Sequence, residues 1–118
     1  MITWNNLDTL TSFKELENVE RVDLVKAMAG ENGAERVKNY SVPMAEGLTY
    51  NYAAKQVDDK VLAALAKLAD EAQLTEKFEA LYNGEVINTG EKRLVLHHMT
   101  RGQLGEAVEA DGVDKRTF

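Results

Sequence analysis

Leu7, Leu10, Phe13, Leu16 and Val19 recur every three positions, and this near-helical spacing predicts an amphipathic helix over 7–19. Leu24, Val25 and Met28 predict a second, short helix over 22–28, with Gly30 placed to end it and Gly33 interrupting the chain again before the polar run Glu35 to Asn39. The texture changes between Pro43 and Gly47. Leu48, Tyr50 and Tyr52 alternate with Thr49 and Asn51, the period of a strand with one buried face, and pairing with Tyr40 to Met44 makes a small hairpin. A lone hairpin is marginal in water, so this one needs a surface to pack against.

The strongest pattern starts at Asp58, a good N-cap residue, and runs to about Ala72 through Val61, Leu62, Leu65, Leu68 and Ala69 on one helical face. Thr75 is positioned to cap a further helix carrying Phe78, Leu81 and Tyr82, with Asn83-Gly84 as its stop. After Val86 the periodicity dissolves into a loop-like stretch holding Glu91-Lys92-Arg93, the apolar run Leu94 to Leu96, and His97-His98. From Gly102 to Phe118 no period is sustained, and the stretch reads as a segment that further polypeptide continues. The fold class expected is mainly α, amphipathic helices with one small β-hairpin.

Composition narrows the chemistry. The 118 residues include no cysteine, which excludes disulfides, thiolate metal sites and cysteine nucleophiles. A net charge of −6 argues against a nucleic-acid partner. No apolar run approaches the roughly 20 residues of a membrane span, and no leader pattern opens the chain, so a soluble, untargeted protein is expected, compatible with a reducing cytoplasm. His97 and His98 are the only histidines, and neighbours on a strand point to opposite faces, so no metal site is expected. Neither Ser12 nor Ser41 sits on a glycine-flanked elbow, and Gly84, Gly90, Gly102 and Gly105 match no phosphate-loop spacing. Carboxylate pairs such as Asp58-Asp59 and Asp70-Glu71 fit the solvated faces of helices.

The cluster from Glu91 to Arg101 stands apart, because two arginines, a lysine and two histidines gather in one short stretch of an acidic chain. Arg93 and Arg101 there either face an anion or pair with local carboxylates and fix the loop. The string Asn88-Thr89-Gly90-Glu91-Lys92-Arg93-Leu94-Val95-Leu96-His97-His98-Met99-Thr100-Arg101-Gly102-Gln103-Leu104-Gly105 resembles a segment that glucose-6-phosphate isomerases carry ahead of their first sugar-isomerase domain, with Asn88, Glu91, Arg93, Val95, Leu96, His97 and Arg101 fitting the family form. Gly90, Leu94 and His98-Met99-Thr100 depart from it. Tyr52 to Asp58 and Tyr82 to Asn88 are similar to the family's approach to that motif, so the resemblance covers 48–101.

The resemblance implies a cytoplasmic enzyme that interconverts glucose 6-phosphate and fructose 6-phosphate through a cis-enediol, usually as a homodimer, without metal or other cofactor. It implies further that the catalytic residues lie in downstream sugar-isomerase (SIS-type α/β) domains, none of them in this chain, whose partners are then those domains. His97, which matches the motif histidine, is the residue placed nearest the sugar; seating the loop is its other reading. Arg93 by its motif position anchors the loop. The competing expectation is a free-standing helical module that binds another protein through its apolar stripes.

Overall fold

The computed structural model describes residues 1–101, 106–110 and 112–115. Gly102 to Gly105, which close the motif region, and 116–118 lie outside the described residues, as does residue 111. Two compact units emerge, one formed by Met1–Leu10 with Leu68–Phe118, the other by Thr11–Lys67. Helices dominate both, joined by three two-stranded antiparallel sheets.

In the Thr11–Lys67 unit, α1 (Thr11–Glu17) and α2 (Leu24–Ala27) are followed by α3 (Gly30–Asn39). The helix predicted over 7–19 is divided: Leu7–Thr9 is a 3-10 turn of the other unit, Leu10 is extended at φ −81°, ψ 143°, and only Thr11–Glu17 is α-helical. A strict three-residue spacing explains the division, since at 3.6 residues per turn it slips about 60° per step and cannot hold five side chains on one α-helical face. α2 keeps the expected position, with the Asp23 carboxylate accepting from the Lys26 N–H as its N-cap.

The expected break at Gly30 and Gly33 is corrected to a ten-residue helix. Gly30 does take a left-handed φ of +58°, separating α2 from α3. Gly33, however, sits inside α3, where a Cβ would fall on the Met28 carbonyl oxygen. Its role is close approach, not interruption.

The hairpin forms as predicted. β1 (Ser41–Pro43) pairs with β2 (Thr49–Asn51) in the register Ser41 to Asn51, Val42 to Tyr50 and Pro43 to Thr49. Glu46 and Gly47, both at positive φ, turn the chain between them. The face expected to be buried is only partly covered, Tyr52 being half-buried while Tyr50 stays half exposed.

α4 (Asp59–Glu71) begins in this unit and continues into the other. Asp58 caps it as predicted, its Oδ1 accepting from the Val61 N–H at 2.9 Å.

In the other unit, α5 (Leu74–Tyr82) starts one residue before Thr75, which is not its cap. Gln73 occupies that position in a left-handed conformation, and its side chain is engaged elsewhere: Oε1 accepts from Thr3 N at 2.8 Å and Thr3 Oγ1 at 3.0 Å, while Nε2 donates to the Met1 carbonyl. One amide thus pins the first residues beside α5, where Lys77 also lies over the Trp4 ring at 5.4 Å.

The stop of α5 is as predicted. Gly84 at φ +76° lets its own N–H reach the Leu81 carbonyl and the Glu85 N–H reach that of Ala80, the paired bonds of a Schellman termination.

Beyond it, the region expected to be a loop is a second hairpin, β3 (Val86–Asn88) against β4 (Arg93–Leu94). A 3-10 turn at His97–Arg101 follows, and the aperiodic tail contains a third hairpin, β5 (Glu109–Ala110) and β6 (Val113–Asp114), with Gly112 at φ +74°. These strands are too short for two-residue alternation to show in sequence.

Buried apolar residues are mostly small: Ala53 and Ala64 in one unit, Ala72, Ala80, Met99 and Val108 with Leu10 in the other. No large side chain is fully enclosed among the described residues. Leu74 and Phe78, one helical turn apart on α5, are about 60% exposed.

Candidate functional site

The motif region builds from the β3–β4 hairpin. The Asn88 side chain closes its turn, Oδ1 accepting from the Glu91 N–H at 3.2 Å and Nδ2 donating to Glu91 Oε2 at 3.2 Å. Lys92 takes φ +54° to complete the reversal, which puts Arg93 in register opposite Asn88. Arg93 Nη1 lies 3.9 Å from Glu91 Oε2 with both side chains well exposed, an ion pair that water screens and that adds little. Of the two readings of Arg93, the local carboxylate is the contact present.

After β4, the 3-10 turn separates the two histidines. His97 is exposed, and its carbonyl accepts from Thr100 Oγ1 at 2.8 Å. His98 is half-buried, stacked on the Tyr82 ring at 5.1 Å, with Nε2 3.2 Å from the Tyr82 carbonyl oxygen. Its Nδ1 is enclosed and meets no partner among the described residues. Met99, 3% exposed, is the buried residue of the turn. The turn therefore holds His98 and Met99 inward and leaves His97 and Arg101 exposed.

A second polar arrangement lies in the other unit, and periodicity gives no sign of it. Arg36 of α3, 8% exposed, donates from Nε to the Ala53 carbonyl at 2.7 Å and from Nη2 to those of Lys55 at 2.9 Å and Val57 at 2.6 Å. Its guanidinium lies 4.3 Å from the centre of the Tyr40 ring. The Tyr40 hydroxyl donates to Asp59 Oδ1 at 3.1 Å, and burial, reinforced by that hydrogen bond and the Asp59 charge, holds its pKa above the ordinary value. The phenol is thus kept neutral, and stability arising from it is retained below pH 10 and lost as pH rises beyond.

These groups line a cleft of about 370 Å³ with Asn32, Glu35 and Leu62. Arg36 turns its Nε and Nη2 to backbone carbonyls, a use that holds the chain in place. No group of three histidine or carboxylate side chains converges as a metal site among the described residues. No helix described here is long and apolar enough to cross a membrane.

The family model for phosphoglucose isomerase matches residues 51–117. Among relatives, the chain is 52% identical over 120 residues to a glucose-6-phosphate isomerase of Treponema denticola, covering 98% of this chain and 23% of that one. It is 46% identical over 100 residues to that of Treponema pallidum (85% and 19%) and 40% identical over 112 residues to that of Borreliella burgdorferi (94% and 20%). The chain spans about a fifth of the length of these curated relatives.

Proposed function

Since the chain belongs to the phosphoglucose isomerase family, we propose that it is the N-terminal helical segment of a glucose-6-phosphate isomerase and is not catalytic by itself. The observation that carries this reading is the 52% identity to a protein of that name across nearly the whole chain, over only 23% of the relative.

The longer polypeptide interconverts glucose 6-phosphate and fructose 6-phosphate in the cytoplasm, in glycolysis and gluconeogenesis, as a homodimer without metal or cofactor. Its sugar-isomerase domains occupy the remaining length. Taking a proton from the carbon next to a carbonyl and returning it to the former carbonyl carbon needs a base, an acid at the oxygen and a donor set for the phosphate, all held in one cleft. In this segment one histidine is committed to Tyr82, and the one arginine buried among the described residues is committed to backbone carbonyls. Such fixed groups support a scaffolding part.

His97 is the exception, exposed on a turn that buried Met99 anchors, and we assign it to the edge of the sugar site. In the longer enzyme, His97→Ala lowers kcat/KM for fructose 6-phosphate about tenfold while the melting temperature holds; unchanged kinetics make it a loop-seating residue. The same assay tests the whole reading. A full-length polypeptide that leaves fructose 6-phosphate unconverted would favour an interaction module instead.

A further inference from the structure

Two asparagines of the chain stand immediately before a glycine, in Asn32-Gly33 and Asn83-Gly84. That order opens the asparagine amide carbon to the backbone nitrogen that follows, because glycine has no Cβ to hinder the approach. At Asn83 the chemistry runs in two steps. The Gly84 nitrogen gives up its proton and bonds to Asn83 Cγ, the Cγ–Nδ2 bond breaks, and ammonia leaves with that proton, closing a succinimide. Water then adds to one ring carbonyl: breaking the bond from Cγ to the Gly84 nitrogen gives aspartate, and breaking the bond from the Asn83 main-chain carbonyl carbon gives isoaspartate. Either way one water is consumed and one ammonia released, with no oxidant needed.

The two sites differ in what holds the attacking nitrogen. Both asparagine side chains are exposed, so the backbone decides. Asn32 lies inside α3, and the buried Gly33 after it is set close against the Met28 carbonyl. Closing the ring has to swing the Asn32 ψ out of the helix and drag Gly33 from that contact. Arg36, one turn further on, holds α3 in place through the carbonyls of Ala53, Lys55 and Val57. Asn83, in contrast, is the C-cap of α5, already past its last helical residue at φ −82°, ψ 0°. The nitrogen there is held by a long hydrogen bond, Gly84 N–H to the Leu81 carbonyl at 3.2 Å, with Glu85 N–H to the Ala80 carbonyl at 2.9 Å behind it. Helix ends open at little cost compared with packed interiors.

We propose that Asn83 is a site of spontaneous deamidation in this protein, opened by fraying of the α5 C-terminus, and that α3 shields Asn32 from the same reaction. The product does not close again as the parent does. Aspartate places a negative charge at the negative end of the α5 dipole. Isoaspartate adds a carbon to the backbone next to Gly84, and the two bonds that terminate α5 lose their geometry. β3 begins at Val86, so the change is delivered directly to the hairpin of the motif region.

The test incubates the full-length polypeptide in mildly alkaline buffer, with and without guanidinium chloride, and follows the deamidated and isoaspartyl forms of both sites by mass spectrometry with fragmentation to locate them. In buffer, Asn83 is expected to convert at least about tenfold faster than Asn32, the ratio that a frayed end against a packed helix gives. In denaturant the two rates are expected to draw level. Equal rates in buffer, a faster Asn32, or an Asn83 that stays intact would each overturn the proposal. A gap of the same size in denaturant would also overturn it, since the difference would then lie in the flanking residues and not in the fold.

Discussion

Arg36→Ala is expected to destabilise the Thr11–Lys67 unit by about 3 kcal/mol, because it takes the side-chain donor from the Ala53 and Val57 carbonyls and leaves that of Lys55 with the Val57 N–H alone. The guanidinium ties α3 to 53–57, the segment that carries the chain from β2 into α4. Hydrogen bonds to a charged donor are worth roughly 1.5–3 kcal/mol each, and a domain is held by only about 5–15 kcal/mol in all. Arg36→Lys recovers only part of the loss, since one ammonium on a flexible stem cannot reproduce the planar fork that spans Ala53, Lys55 and Val57. Urea unfolding followed by circular dichroism reads both variants. A midpoint for Arg36→Ala equal to that of the parent would show that the clasp is not structural.

Gly84→Ala is expected to cost about 3 kcal/mol, from two separable causes. A left-handed φ of +76° costs an L-residue about 1–2 kcal/mol. The added methyl group also meets the Val108 side chain, itself 4% exposed, and forcing an extra carbon into a filled site costs about 1–3 kcal/mol. The double variant Gly84→Ala with Val108→Ala separates them. Its loss is expected to fall short of the sum of the single losses by about 1 kcal/mol or more, because the smaller side chain vacates the space the new methyl needs. Strict additivity would place the whole effect in the backbone.

These two residues also mark what is readable from sequence. Gly84 is legible as a helix stop, since glycine after a helical run and an asparagine is a local signal with a local cause. Asp58 and the face from Val61 to Ala69 are legible for the same reason, as is the hairpin, where two-residue alternation flanks a turn. Arg36 is not legible. Its partners are backbone carbonyls 17 to 21 positions away, and backbone groups carry no sequence signature.

Local rules also mislead where tertiary contact overrides them. Gly33 reads as a breaker, yet it lies inside α3 because only hydrogen fits against the Met28 carbonyl. Thr75 reads as a cap, yet Gln73 enters α5 at φ +53° and turns its amide to Met1 and Thr3, a contact more than 70 residues apart at its longest. The motif region keeps its residues but not its predicted shape. Asn88 and Glu91 are where the resemblance points, and they close a hairpin with each other. The two histidines divide, His97 outward and His98 against Tyr82, because a short 3-10 turn with buried Met99 sets their directions and adjacency alone does not.

The apolar surface left over gives these particulars a common cause. A core made mostly of alanines, with Leu74, Phe78, Val42 and Tyr50 part exposed, is what remains when a segment's larger side chains are shaped to meet another surface. The proposed role of this segment is accordingly to support an isomerase without performing the reaction itself. The direct measurement is the conversion of fructose 6-phosphate to glucose 6-phosphate by the purified 118-residue chain, beside the full-length polypeptide at equal molarity. Turnover by the full-length protein with none above the blank for the short chain is the predicted result; turnover by the short chain at a comparable rate would contradict it.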